Sequence, residues 1–123
     1  MILVDTSIWA DHIRSADETL GDLLESKQAL MHPCVLTEIA LGKLPRRSAI
    51  LSAMEKLPQA KIATDSELLD YIERHRLFGS GIGFVDTHLL AATRLTHGAL
   101  LWTRDKNLLR VAERLGLAWR RLH

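Results

Sequence analysis

Short unbroken apolar runs alternate along this chain with longer stretches whose apolar residues recur at helical spacing. Residues 1–4, MILV, are apolar throughout and stop at Asp5. Such a run is too short for a helix and predicts a strand buried on both faces. Thr6 or Ser7 stands where it can cap a helix carrying Ile8, Trp9 and Ile13. A second helix is predicted over about 17–26, with Leu20, Leu23 and Leu24 on one side. ALM at 29–31 suits a short strand, and Pro33 suits the first turn of a helix running to about Gly42. Pro45 interrupts before another helix over about 46–56, and 60–63 is a weak strand candidate. Thr64, Asp65 and Glu67 open a clear helix with Leu68, Leu69, Ile72 and Leu77, ending at Gly79. The loop GSGIG leads into a helix over about 84–97 that is apolar on most sides and is therefore predicted to be buried. Gly98 closes it. ALLWT at 99–103 is a strand, 105–115 a helix ended by Gly116, and LAW at 117–119 a last short strand.

Strands separated by helices predict an α/β fold, a parallel sheet with helices on both faces. No repeat, linker or low-complexity stretch divides the 123 residues, so a single domain over 1–123 is expected. No apolar run approaches the roughly 20 residues a membrane span needs. The start lacks a positive n-region and carries Asp5 in its apolar stretch, unlike a secretory signal. The single cysteine, Cys34, cannot form an internal disulfide and reads as a small buried apolar residue. A cytoplasmic location is expected.

Net charge is +1 but unevenly spread. Residues 1–30 hold six acids against Arg14 and Lys27. Residues 94–123 hold seven bases (Arg94, Arg104, Lys106, Arg110, Arg114, Arg120, Arg121) against Asp105 and Glu113. A basic C-terminal third can attract phosphates, and solvated helix faces explain it equally well.

Four acids depart from the polar helix faces that hold most of the fifteen. Asp5 ends MILV, Glu38 sits in CVLTEIALG, Asp86 sits in FVDTHLLAA, and Asp105 follows the strand ALLWT by one residue. Carboxylates are rarely buried unless paired or metal-bound. Asp5 and Asp105 fall just past predicted strand ends, the edge where open parallel sheets build sites. Glu38 and Asp86 can project into the same crevice from their helices. Two carboxylates about 4 Å apart repel by about 4 kcal/mol at an effective dielectric of about 20, so a converging set calls for cations, protons or separation. Oxygen donors with room for water and phosphate favour Mg²⁺ or Mn²⁺. Taken singly, each acid is equally well a cap or a surface charge, and Asp86 near a helix start is favourable through the helix dipole alone.

VDTSIW at 4–9, the glutamate of LTEIALG at 36–42, GFVDTHLLAA at 83–92 and LLWTRDKNL at 100–108 resemble, in order, the four acidic motifs of PIN-domain nucleases. The set is most similar to VapC toxins of type II toxin–antitoxin (VapBC) systems, and the resemblance covers nearly the whole chain. It implies a PIN-like three-layer α/β/α sandwich. It implies an endoribonuclease, with Mg²⁺ or Mn²⁺ bound by Asp5, Glu38, Asp86 and Asp105 and with Thr6 or Ser7 and Thr103 hydrogen-bonding behind them. RNA cleavage is implied, of structured RNA such as tRNA, with a VapB-like antitoxin as inhibitor and a homodimer within that complex. Where some relatives carry a further acid, this chain has Asn107, at best a neutral oxygen ligand.

Other features have plain readings beside them. GSGIG is a helix cap and turn, or a close approach to RNA backbone. Trp9, Trp102 and Trp119 suit core packing better than base stacking. His12, His32, His75, His97 and His123 show no ligand spacing, and His88 points about 200° from Asp86 on one helix. Ile8, Ile13, Leu20, Leu23 and Leu24 can face a partner groove or a core. Two competing functions are a PIN nuclease of RNA processing without an antitoxin, and a receiver-like phosphoacceptor module. The second expects an acid beside Asp5 and a lysine after a late strand. The nearest acid is Asp11, and Lys106 falls immediately after Asp105.

Overall fold

The strand β1, Ile2–Val4, is the middle of a parallel sheet. Its neighbours are β2, Ala29–Leu30, and β3, Leu100–Trp102, in the order β2-β1-β3. The register pairs Ile2 with Ala29 and Leu100, and Val4 with Trp102. These coordinates are a computed structural model, which describes residues 1–120. Single parallel bridges, Met31 to Gln59 and Leu101 to Ala118, extend the sheet at both sides. The 60–63 candidate therefore falls one residue late, at Gln59, and the last strand shrinks to one bridge at Ala118.

Seven helices complete the described chain: α1 Thr6–Arg14, α2 Glu18–Glu25, α3 Pro33–Leu41, α4 Arg47–Glu55, α5 Asp65–His75, α6 Phe84–Leu95 and α7 Lys106–Arg114. The chain passes from β1 outward to β2, then returns across β1 to β3. Right-handed crossovers in opposite directions place helices on both faces, giving the α/β/α sandwich. α1 packs on α3, α3 on α4, and α5 on α6. Leu3, Val4, Ile8, Leu89, Leu90 and Leu101 are sealed in the core between them. α6 is buried without a break from Thr87 to Thr93, as its all-round apolar pattern requires.

Local chemistry sets the helix ends. α1 is capped by Asp5, not by Thr6 or Ser7: an Asp5 oxygen accepts the Thr6 N–H at 2.7 Å. Asp17 caps α2 and Asp105 caps α7. Thr64 and Glu67 form a reciprocal capping box on α5. α5 stops earlier than Gly79, because Arg76 takes a left-handed conformation at φ +51.

The 79–83 loop is held by α7. Arg110 donates to the Ser80 carbonyl at 3.0 Å, and Gly81, at φ +86, faces Asn107. A Cβ at Gly81 would come within 3.2 Å of Asn107 Nδ2. Gly81→Ala should therefore destabilise the fold by about 1 kcal/mol or more, through the left-handed φ and the crowding together. Urea unfolding checks this; an unchanged midpoint would show that the loop moves freely.

Candidate active site

The sheet order reverses between β1 and β3, and Asp5 and Asp105 fall just past the carboxyl ends of those strands. Asp5 follows β1 directly and is 8% exposed. Its two carboxylate oxygens accept the Thr6 N–H and, at 2.7 Å, the hydroxyl of buried Thr103. Thr103 lies just past β3, and its oxygen also accepts the Asp105 N–H at 3.1 Å. Asp105 turns one oxygen back to the Leu108 N–H at 2.9 Å, which starts α7. From α3, Glu38 accepts the Thr6 hydroxyl at 2.6 Å. Thr6 and Thr103 thus link three of the four acids. Asp86, the third residue of α6, accepts a backbone N–H from Gly83 at the helix start.

Burial differs among the four. Asp5 is buried and Asp86 half-buried, while Glu38 and Asp105 are exposed. Val35 and Ile39 on either side of Glu38 turn inward, and its own side chain turns out. Burial pushes the Asp5 carboxyl above the ordinary carboxylate range. The bonds from Thr103 and Thr6 pull it down, and the charges of Glu38 and Asp105 raise it again. Asp86 is also raised, first by burial and then by Asp5, Asp105 and Glu38, against the Gly83 bond. Asp5 and Asp86 therefore each feel the charges of Glu38 and Asp105.

Among the described residues, no group of three or more His, Cys, Asp or Glu side chains is drawn close enough to enclose a metal ion directly. The donor set still fits a hard divalent cation. The second Glu38 oxygen and the outer Asp105 oxygen have no partner among the hydrogen bonds given above. Mg²⁺ keeps several of its waters, so carboxylates can hold it across a wider space than a direct cage.

Other candidates fall into place around this centre. Ser7 is exposed and lines a groove between α1 and α3, and Asn107 lies against Gly81. Gly83 starts α6 while Gly79 and Gly81 turn at positive φ, so GSGIG serves as cap and turn. Trp9 and Trp102 are core residues, and Trp102 meets Trp119 edge-on at 5.0 Å. Cys34 is partly exposed rather than buried, and its thiol is pushed up by burial and by Glu38.

The basic third is largely engaged within the protein. Arg104 binds Asp11 and Asp17, Arg110 and Arg114 donate to carbonyls of Ser80 and His75, and Arg120 binds Glu113. Arg121 and His123 lie outside the described residues.

Sequence reasoning missed two features. One is the pair of buried histidines His32 and His88, with ring centroids 5.9 Å apart. His32 Nδ1 accepts the Cys34 N–H, and burial with His88 lowers its pKa to about 4, so it is neutral. The other is Arg104. No spacing rule pairs residues 32 and 88, or 104 with 11 and 17.

Of the apolar residues of the first two helices, which could face a partner groove or a core, Ile8 and Leu20 lie in the core beside Trp9. Beside it are two hollows. One, of about 560 Å³, runs from Thr6 and Glu38 over Ala10, Ile13, Ile39 and Leu44. The other, of about 320 Å³, is lined by Ile13, Leu24, Pro45 and Ile50.

A three-layer α/β/α sandwich on a parallel sheet, with acids just past the ends of β1 and β3, defines the class of α/β protein. Residues 2–114 match the PIN domain model, and the chain belongs to the PIN-domain family. It is 44% identical to ribonuclease VapC32 of two Mycobacterium tuberculosis strains, CDC 1551 / Oshkosh and ATCC 25618 / H37Rv. Each match spans 118 residues, covering 96% of this chain and 95% of the relative. The fold is similar to the crystal structure of FitAcB from Neisseria gonorrhoeae, at a TM-score of 0.59 and 18% identity, covering 92% of this chain and 94% of that one. PIN membership removes the receiver-like reading. No helix among the described residues is long and apolar enough to cross a membrane.

Proposed function

We propose that this chain is a Mg²⁺- or Mn²⁺-dependent endoribonuclease, the toxin of a type II toxin–antitoxin pair. It hydrolyses phosphodiester bonds of RNA, structured RNA such as tRNA included, and a VapB-like antitoxin holds it inactive. The observation that carries the reading is the set of hydrogen bonds through Thr6 and Thr103 that links Asp5, Glu38 and Asp105 beside the ends of β1 and β3. The near full-length similarity to ribonuclease VapC32 supports the same activity.

In this reading the four acids hold the cation between them. Bound there, Mg²⁺ or Mn²⁺ supplies the positive charge that orients the phosphodiester, eases deprotonation of water and offsets charge on the departing oxygen. Thr103 fixes Asp5 and Asp105 relative to one another, and Thr6 fixes Glu38. Asp86, as a carboxylate beside the cation, would accept a proton from the attacking water. No ribose hydroxyl takes part, so the products carry 5′-phosphate and 3′-hydroxyl ends.

The antitoxin fits the hollows beside the crevice. An apolar segment seats over Ile13, Ile39 and Leu44, and an Arg or Lys from it reaches the acids near Glu38. The protein works as a homodimer in that complex, in the cytoplasm.

The direct experiment is RNA cleavage by purified protein with Mg²⁺ or Mn²⁺, followed by EDTA. Cleavage should stop on chelation and produce 3′-hydroxyl ends. Cutting that continues undiminished after complete chelation rejects the mechanism. Thr103→Val removes the hydroxyl that bonds Asp5 and receives Asp105, and should cost about 10–100-fold in activity or cation affinity. Thr103→Ser should keep most of it. Equal kcat/KM in the valine variant and wild type would remove Thr103 from the site.

A further inference from the structure

Arg104 stands between the two residues that order the crevice, Thr103 and Asp105, yet its side chain points elsewhere. One guanidinium nitrogen donates to Asp11 in α1, and the other donates at 3.3 Å to Asp17, the residue that caps α2. Asp17 uses its other oxygen for the Leu20 N–H at 3.0 Å, so it is fixed to the start of α2. The planar fork of arginine suits two carboxylates at once, which an ammonium cannot match.

The bonds make a circuit. Asp5 caps α1, and Asp11 lies in that helix. Asp11 holds Arg104, Arg104 is joined by backbone to Thr103, and Thr103 bonds back to Asp5. The end of β3 and the β3–α7 connection are thereby tied to α1 through Arg104 and Asp11, beside the Thr103–Asp5 bond and the Asp5 N–H that donates to the Trp102 carbonyl at 3.0 Å. Without Arg104, residues 103–105 are held to α1 only at its first turn, through Asp5, whereas the guanidinium reaches Asp11 further along that helix.

We propose that Arg104 is a positioning residue: by bridging Asp11 and Asp17 it holds Thr103 and Asp105 against Asp5, and so sets the affinity of the crevice for a divalent cation. The inference rests on the metal-dependent reading above. It also runs against simple electrostatics. A positive charge one residue from Asp105 repels a cation, so removing it should tighten cation binding if charge were its only role. Positioning predicts the opposite sign.

The test is Mn²⁺ binding to the full chain without RNA, followed by electron paramagnetic resonance of the free ion, with circular dichroism and Tm as fold controls. Arg104→Gln should bind Mn²⁺ about tenfold more weakly than wild type, the scale of an outer-shell partner. Arg104→Lys keeps the charge but not the two-carboxylate bridge, and should fall between them. Asp11→Asn with Asp17→Asn should weaken binding in wild type and add little in Arg104→Gln. Equal or tighter binding by folded Arg104→Gln overturns the proposal, as does a lowered Tm with an unchanged Kd, which marks a purely structural tie. If Arg104→Gln does not fold, Arg104→Lys decides: weaker binding supports the proposal and wild-type binding overturns it. A wild type that takes up no Mn²⁺ brings down the metal-dependent reading and this inference with it, whereas normal uptake by wild type and by Arg104→Gln removes this inference alone.

Discussion

Asp86→Asn should lower kcat for RNA cleavage by about a hundredfold or more, the scale of a lost acid–base group, while the metal-free protein stays folded. The amide keeps an oxygen for the Gly83 N–H, so the start of α6 loses nothing. What disappears is a half-buried charge that Asp5, Asp105 and Glu38 all oppose. The metal-free variant should therefore melt no lower than wild type, and a rise of a few degrees is expected. Asp70→Asn is the control. Asp70 is exposed and pairs with Arg74 at 3.1 Å along α5, far in function from the crevice. A surface pair of this kind contributes about 0–1 kcal/mol, and cleavage should be untouched. Equal cleavage by Asp86→Asn and wild type would take Asp86 out of the site.

The second large effect joins metal and pH. The folded state raises the pKa of Asp5 and Asp86, so it binds protons more readily there than the unfolded chain does. Their contribution to stability is fully present below the ordinary carboxylate pKa and is lost as pH rises through the raised values. Without metal, Tm should fall across that window relative to the double variant Asp5→Asn, Asp86→Asn. Taking the difference cancels carboxylates that behave oppositely, such as Glu67, whose pKa the capping bonds of Thr64 lower. A divalent cation binds the deprotonated acids, so it should reverse the trend at neutral pH. Free Mn²⁺ at about 100 times its Kd should add about 2.7 kcal/mol of stability to wild type. The double variant should gain little. Differential scanning calorimetry at several pH values reads both effects, and a Tm indifferent to Mn²⁺ in wild type would defeat the second.

The order of helices and strands was legible because each rests on local rules. MILV, ALM and ALLWT are apolar runs of strand length, and Thr64 with Glu67 spells a helix start. Boundaries blurred where a side chain had two uses. Asp5 reads as a site residue or as a cap, and it caps α1 in place of Thr6 or Ser7. Arg76 ended α5 by adopting a conformation that composition does not announce. The four acids could be singled out by position, since two fall just past strand ends. Their exposure could not: Glu38 sits among apolar neighbours yet faces outward, because α3 buries the face carrying Val35 and Ile39. Long-range pairs such as His32 with His88, and Arg104 with Asp11, depend on the completed topology. No reading of local spacing reaches them.

The sheet's flanks carry a consequence for the chain at high concentration. Beyond β2 and β3 the described pairing continues only through single bridges at Gln59 and Ala118. An incoming strand needs a row of unpaired N–H and C=O groups to build on, and long flat borders of that kind seed association. Here the described ladder ends in one-residue steps, followed at Gln59 by backbone without strand geometry. Self-templated stacking of copies through their sheet margins is thereby disfavoured.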